Sequence, residues 1–246
     1  MVSCAGYSDD HVHKEELDKE VSGMVTDNNR EKELMIPPVD LQVPDKMETA
    51  TLAMGWFWGP DARFGQVKGV YRTRVGYAGG STENPTYYQL GDHTETLQID
   101  YDPAQVSYKE ILELFWNGHN PVGPQYSRQY ISIIFYHNDE QKRDALESKE
   151  AWEKVLGEEV NTLIIPYKYF YLAEDYHQKY YLQGDNNLSS EIKGYFKEFQ
   201  DFVNSTAAAR LNGIIGGYAN PNLVEAELSE YGLSVSGIND LERYLK

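Results

Sequence analysis

The sequence predicts an α+β fold: a two-layer α/β sandwich with helices packed on a mixed sheet, a disordered N-terminal tail and a helical C-terminal extension. Three observations lead there. Between residues 47 and 188, apolar runs of strand character alternate with runs of helical period. The connections are uneven and the strands few, as expected of helices laid on a mixed sheet. The first 46 residues are polar and charged, and the stretch from Ser189 onward reads as short helices around IIGGYANPN. The expected organisation is therefore a polar tail and linker over 1–46, a folded domain over 47–188 and a helical extension over 189–246.

The linker ends in IPPVDLQVPDK, a Pro-rich segment expected to be extended. ATLAMGWFW reads as a buried strand. Pro60 and Asp61 then suit a first helical turn, because Pro lacks only an orphan donor and Asp faces the positive helix end. Gly55 to Gly59 is thus a strand-to-helix junction. VYRTRVGYA (70–78) is a second strand, and GGSTENPTYYQLGD a loop punctuated by Gly and Pro. TETLQIDY (94–101) alternates as a half-buried strand does. Ser107 and Glu110 form a capping box for a helix whose stripe is Tyr108, Ile111, Leu112 and Phe115. QYISIIFYH (129–137) reads as a strand. Asp139 opens a long charged helix with Ala145, Trp152, Val155 and Leu156 on one face and Gly157 as its stop. TLIIPYKYFYL (162–172) is expected to be extended and AEDYHQKYYLQ helical.

Composition bounds the function. Of the 246 residues, 41% are apolar, enough for a sizeable core. The formal charge of −17 disfavours nucleic acid or an anionic membrane as main partner, because phosphates would be repelled. Cys4 is the single cysteine, which excludes an intrachain disulfide and a cysteine-based metal site. The N-terminus has no apolar run of a secretory signal, and no stretch is long and apolar enough to span a bilayer. A reducing, soluble, cytoplasmic setting is expected. The sequons starting at Asn187 and Asn204 are then chance matches. His11 and His13 lie in the tail and the other four histidines are scattered, so no metal is expected.

Three features bear on chemistry. A strand end opening into a helix N-terminus stabilises an anion and would depress a thiol pKa. Trp56 occupies that place. Its indole lone pair belongs to the ring and its N–H only donates, so it can pack, stack or donate but cannot attack an electrophile. Glu95 shares the parity of Leu97, Ile99 and Tyr101 and so leans to the apolar side, where a desolvated carboxyl stays protonated and can donate. At a frayed strand start it would instead be solvated. The 20 tyrosines include Tyr87, Tyr88 and Tyr130, whose phenols can donate to a polar oxygen while their rings line an apolar pocket.

AMGWFWG resembles the GCFWG signature of the methionine sulfoxide reductase A family. GVYRTRVGYAGG, NPTYYQLGDHTE, YDPAQVSYKEILELFWNGHNP, QYISIIFYH and FYLAEDYHQKYYL follow in the family's order, over roughly residues 50 to 183. The resemblance implies a peptide-methionine (S)-S-oxide reductase acting on methionine sulfoxide in peptides or proteins. In such enzymes a cysteine thiolate attacks the sulfoxide sulfur, the oxygen is protonated, and the cysteine becomes a sulfenic acid. Thioredoxin or another thiol reductant regenerates it, without organic cofactor or metal. By motif match, Phe57 and Trp58 wall the pocket for the substrate methyl group. Glu95 is the acid, and Tyr87 and Tyr130 hydrogen-bond the sulfoxide oxygen.

The sequence departs from the family in three places. Trp56 stands at the nucleophile position. The C-terminal segment holds no cysteine. The family's acidic residue before the QY motif is missing, with Gln125 or Ser127 in its place. Three readings follow: a reductase in which Cys4 substitutes, from a tail about 50 residues away; an inactive relative that recognises oxidised methionine or serves as a scaffold, the latter if the indole fills the pocket; or a recoded position, since a tryptophan codon is one base from codons for cysteine and selenocysteine.

Overall fold

The structure is a computed structural model that describes residues 36–124 and 127–245. Most of the expected tail, with Cys4, His11 and His13, lies outside the described residues.

Six strands form one sheet in the order β5-β4-β1-β3-β2-β6. They are β1 (Glu48–Met54), β2 (Val70–Ala78), β3 (Thr94–Tyr101), β4 (Ser132–Tyr136), β5 (Leu163–Pro166) and β6 (Phe170–Leu172). β4 and β5 run parallel and all other neighbours antiparallel, so the sheet is mixed as expected. Helices α1 (Trp58–Gly65), α2 (Tyr108–Trp116) and α3 (Asp139–Leu156) belong to the same α+β layer arrangement. The main core joins Leu52, Val75, Leu97 and Ile134 of the sheet to Phe64, Ile111, Phe115 and Ala145 of these helices. A smaller core on Ala53, Ala78, Ile133 and Phe135 is covered by Ile165, Tyr167 and Phe170.

The half-buried reading of TETLQIDY is corrected by its place in the sheet. β3 lies between β1 and β2, and all eight of its residues are buried. Its polar face is satisfied internally. Thr94 Oγ1 donates to the Arg128 carbonyl at 2.9 Å, and Asp100 accepts from Arg74 at 2.8 Å and from Thr49 Oγ1 at 2.8 Å.

Local signals worked where one short interaction decides the geometry. The capping box forms: the Ser107 amide donates to Glu110 Oε2 at 2.7 Å, and the Glu110 amide to Ser107 Oγ at 3.3 Å. Asn138 caps α3 and Gly157 ends it at φ +74°. Val155 and Leu156 are exposed, however, and the buried face of α3 is Gln141, Asp144 and Ala145, with Trp152 partly covered. β4 begins later than expected because residues Arg128–Tyr130 form a 3-10 turn capped by Ser127.

AEDYHQKYYLQ is not one helix. A 3-10 turn (Asp175–His177) and α4 (Tyr180–Gly184) are separated by Lys179 at φ +48°. The break is tertiary: the Lys179 amide donates to Asp61 Oδ2 at 3.2 Å, and its buried ammonium to Asp61 Oδ1 at 3.2 Å. The Pro-rich segment also turns, with a 3-10 helix over Pro38–Gln42 and Val39 buried.

Beyond α4 come α5 (Asn186–Lys193), α6 (Phe199–Val203), α7 (Thr206–Ile215), α8 (Pro221–Glu227) and α9 (Val235–Leu241). They enclose a second core that includes Leu182, Leu188, Phe202, Leu211 and Leu241. Asp40 reaches from the Pro-rich turn to the first turn of α7, accepting from Ser205 Oγ at 2.8 Å and the Ala207 amide at 3.2 Å. No described helix is long and apolar enough to cross a membrane.

Candidate functional site

The junction between β1 and α1 sits at one end of the sheet, where β1 ends and β3 and β4 begin. Gly55 makes the turn at φ +91°, a conformation that favours glycine. Phe57 is the N-cap residue of α1, and no side chain caps it from within. Its amide donates instead to Glu95 Oε2 at 3.1 Å.

Glu95 is 1% exposed, so the solvated alternative does not hold. Its other oxygen accepts from Gln129 Nε2 at 2.7 Å. Burial pushes its pKa above the usual carboxylate range, against the opposing pull of the Gln129 and Phe57 donors.

A second carboxylate behaves oppositely. Glu174 accepts from the Tyr77 hydroxyl at 2.7 Å and the Tyr87 amide at 2.9 Å. Burial pushes it up, but these donors prevail and hold it below the usual range. Tyr77 lies opposite Glu95 in the β2–β3 register. One site thus contains a carboxyl biased toward the acid and another biased toward the anion, the separation that assigns acid and base roles.

Tyr130 closes the 3-10 turn and is 42% exposed. Its phenol is pushed up to about 12 by burial, by the nearby Glu95 charge and by a hydrogen bond with the Tyr87 side chain. Phe57 is buried, 6.1 Å from Tyr77 and 5.1 Å from His177 between ring centroids. Trp58 donates from Nε1 to His177 Nδ1 at 3.2 Å and stacks on Tyr180 at 3.5 Å. Trp56 lies outside this buried set. It is 50% exposed, with its ring 4.7 Å from that of Trp58.

The structure therefore gathers Phe57, Trp58, Glu95, Tyr87 and Tyr130 around one mouth, with Trp56 at its edge. Sequence reasoning missed Tyr77, Gln129, Glu174 and His177. Nothing local in the sequence singles out Tyr77 or Gln129, and the AEDYH stretch holds Glu174 and His177 without marking either as a site residue. Of the two substitutes for the missing acidic residue, Ser127 is engaged in capping, and Gln125 lies outside the described residues. Among the described residues no group of three or more His, Cys, Asp or Glu is placed to hold a metal. A cleft of about 280 Å³ under Phe135 and Lys168 shares no residue with this site.

The site rests on an inner scaffold. Gln178 substitutes for a strand partner, accepting from the Val75 amide at 3.1 Å and donating to the Val75 carbonyl at 2.8 Å. It fixes the segment that carries Glu174 and His177.

The family model described as peptide methionine sulfoxide reductase matches residues 48–207. The match runs past residue 184, where the motif resemblance ends. A peptide methionine sulfoxide reductase of Drosophila melanogaster is 45% identical over 218 residues, 87% of each chain. MsrA of Methanosarcina acetivorans is 49% identical over 146 residues, 55% of this chain and 78% of that one. Methionine sulfoxide reductase A of Corynebacterium diphtheriae superposes with a TM-score of 0.54 at 31% identity, covering 58% of this chain and 76% of that one. Mxr1 of Saccharomyces cerevisiae in reduced form gives 0.52 at 30% identity, covering 58% and 88%.

Proposed function

The chain belongs to the peptide methionine sulfoxide reductase family, and from that membership we propose that its site recognises methionine sulfoxide in peptides and supports reduction only with a thiol or selenol at position 56. The observation that carries this is Glu95, buried and pushed toward its protonated form beside the mouth of α1.

In the reading, Phe57 and Trp58 receive the methyl group of the oxidised side chain. Glu95 hands a proton to the sulfoxide oxygen, and the Tyr87 and Tyr130 phenols donate to the same atom. A thiol at position 56 would attack the sulfur, and oxygen would pass to it, leaving methionine and a sulfenic acid. Two reductant thiols would then return the sulfenic acid to thiol, giving a disulfide and water. Thioredoxin is the expected source of those thiols, in a reducing cytoplasmic setting. Trp56 offers no such atom. As the sequence stands, the protein is then a binder of oxidised methionine. The half-exposed Trp56 ring supports recognition over the scaffold reading, since the indole is not buried among Phe57 and His177.

The test is a pair of proteins, the present chain and Trp56→Cys, assayed on a methionine sulfoxide peptide with dithiothreitol. The first should show no turnover and the second should show it. Turnover by the first, surviving Cys4→Ser, overturns the requirement for a chalcogen at position 56. Silence in both overturns the reductase geometry. The transcript codon at position 56 distinguishes recoding from a true tryptophan.

A further inference from the structure

The aromatic side chains beside the mouth extend beyond what a sulfoxide and its methyl group need. Trp58 and Tyr180 stack face to face at 3.5 Å with 4° between their planes. Trp56 leans on Trp58 at 4.7 Å and 59°. Tyr218, brought in by the loop after α7, sets its hydroxyl over Gly59, where an added Cβ would stand 3.3 Å from that oxygen. Trp58 packs partly against the core, and the other three rings stay open: Trp56 is 50%, Tyr180 39% and Tyr218 40% exposed. Exposed aromatic groups clustered beside a site mark a binding surface.

The surroundings decide what such rings would hold. The chain carries a net charge of −17, so an anionic partner is repelled. Glu174 is biased toward its anion, and its charge is felt at the neighbouring Tyr176 phenol. Asp175 is exposed in the same turn. Arg63, the only basic residue of α1, is engaged by the Asn117 carbonyl at 3.4 Å. Electron-rich aromatic faces in an acidic setting attract a cation.

We propose that Trp56, Trp58, Tyr180 and Tyr218 form a subsite for a basic side chain, arginine or lysine, next to the oxidised methionine in the bound polypeptide. This rests on the recognition reading above. The subsite adjoins Phe57 and Trp58, so one residue step, about 3.8 Å between Cα atoms, carries a neighbour from the pocket onto the rings. Trp56 then adds a face to the surface that reads the flanking residue.

The test titrates the present chain, by intrinsic tryptophan fluorescence, with short peptides in which methionine sulfoxide is followed by Arg, Leu or Glu. Each peptide is also used unoxidised. The Arg peptide should bind roughly two- to five-fold tighter than the Leu peptide, the range of an exposed cation–π contact. The Glu peptide should be weakest. Tyr218→Leu and Tyr180→Leu should each shrink the Arg-over-Leu ratio, and Tyr180→Phe should keep the ratio. Equal affinities for Arg and Leu peptides, or a preference for Leu, overturn the subsite. A ratio untouched by both leucine variants, each folded by circular dichroism, does the same. Arg preference without any preference for the oxidised form keeps the subsite and removes the sulfoxide reading. Failure of every peptide to bind removes both.

Discussion

The side-chain amide of Asn212 donates to Asp61 Oδ2 at 3.1 Å, inside the protein, where both residues are fully buried. Asn212 belongs to α7 in the C-terminal extension and Asp61 to the first turn of the site helix. The same Asn212 accepts the amides of Tyr181 at 3.0 Å and Leu182 at 3.1 Å, and Asp61 holds the buried Lys179 ammonium at 3.2 Å. One amide and one carboxylate thus tie α1, α4 and α7 together beneath the mouth. Asn212→Leu should destabilise the protein by about 1–3 kcal/mol, the cost of leaving buried partners unsatisfied. Lys179→Met should cost about 3–5 kcal/mol, because it strands the Asp61 charge in the interior. Urea midpoints measure both. A midpoint for Lys179→Met equal to that of the unaltered protein would show that Asp61 relaxes or protonates without penalty.

Helices α1 and α7 cross closely enough to exclude a methyl group. A Cβ on Gly65 would run into the Ala209 carbonyl of α7, and one on Gly213 into the Ala62 carbonyl of α1. At Gly65 the three nearest atoms are all Ala209 backbone, which has no flexible end to yield. Gly65→Ala should therefore destabilise by about 1–3 kcal/mol despite the better helix propensity of alanine. Thermal melts decide it, and a raised melting temperature would mean that the helices can separate at little cost.

Glu95 links stability to pH with a defined sign. Its folded pKa is raised, chiefly by burial. The folded state then binds more protons than the unfolded chain between the unfolded value of about 4.3 and the folded value. Its contribution is fully present below about pH 4.3 and is lost as pH rises through the folded pKa. Glu95→Gln cannot titrate, so the stability difference between the two proteins should move in the variant's favour across that window. A difference constant with pH would contradict the raised pKa. In a Trp56→Cys background, Glu95→Gln should also lower kcat by about 10²–10⁴-fold, as for loss of a general acid.

The sequence was most informative where short-range rules decide. Ser107 with Glu110, Gly157 at the end of α3, and the strand-to-helix step after Met54 each depend on neighbours within a few residues. The side of the sheet taken by Glu95 followed from parity, since a period of two leaves no other face for it. Legibility failed where distant contacts override local preference. Lys179 breaks an apparent helix because Asp61, 118 positions away, binds it. β3 is buried on both faces, with Gln98 on its polar face donating to the Tyr167 hydroxyl at 3.4 Å, a distant contact that alternation cannot reveal. His177 drew no notice as one scattered histidine among six. Only the fold sets it among Phe57, Trp58 and Tyr87.

His177 supplies the last prediction. Its Nδ1 accepts from Trp58 Nε1, so the proton of the neutral ring sits on Nε2, which is buried with no hydrogen-bond partner among the described residues and lies 4.0 Å from Glu174 Oε2. Protonating Nδ1 would set two donors against each other. Burial lowers the His177 pKa, and the Glu174 charge only partly offsets it. A histidine held neutral in the fold binds fewer protons than in the unfolded chain, so stability falls as pH drops from about 6.5 through the folded value. His119 and His137 are lowered in the same direction, again mainly by burial, and will keep part of the slope. His177→Gln can still accept from Trp58 but cannot titrate. Its urea midpoint should therefore gain on that of the unaltered protein as pH falls from 7.5 to 5, and a gap that stays flat over that range would place the His177 proton affinity at its ordinary value.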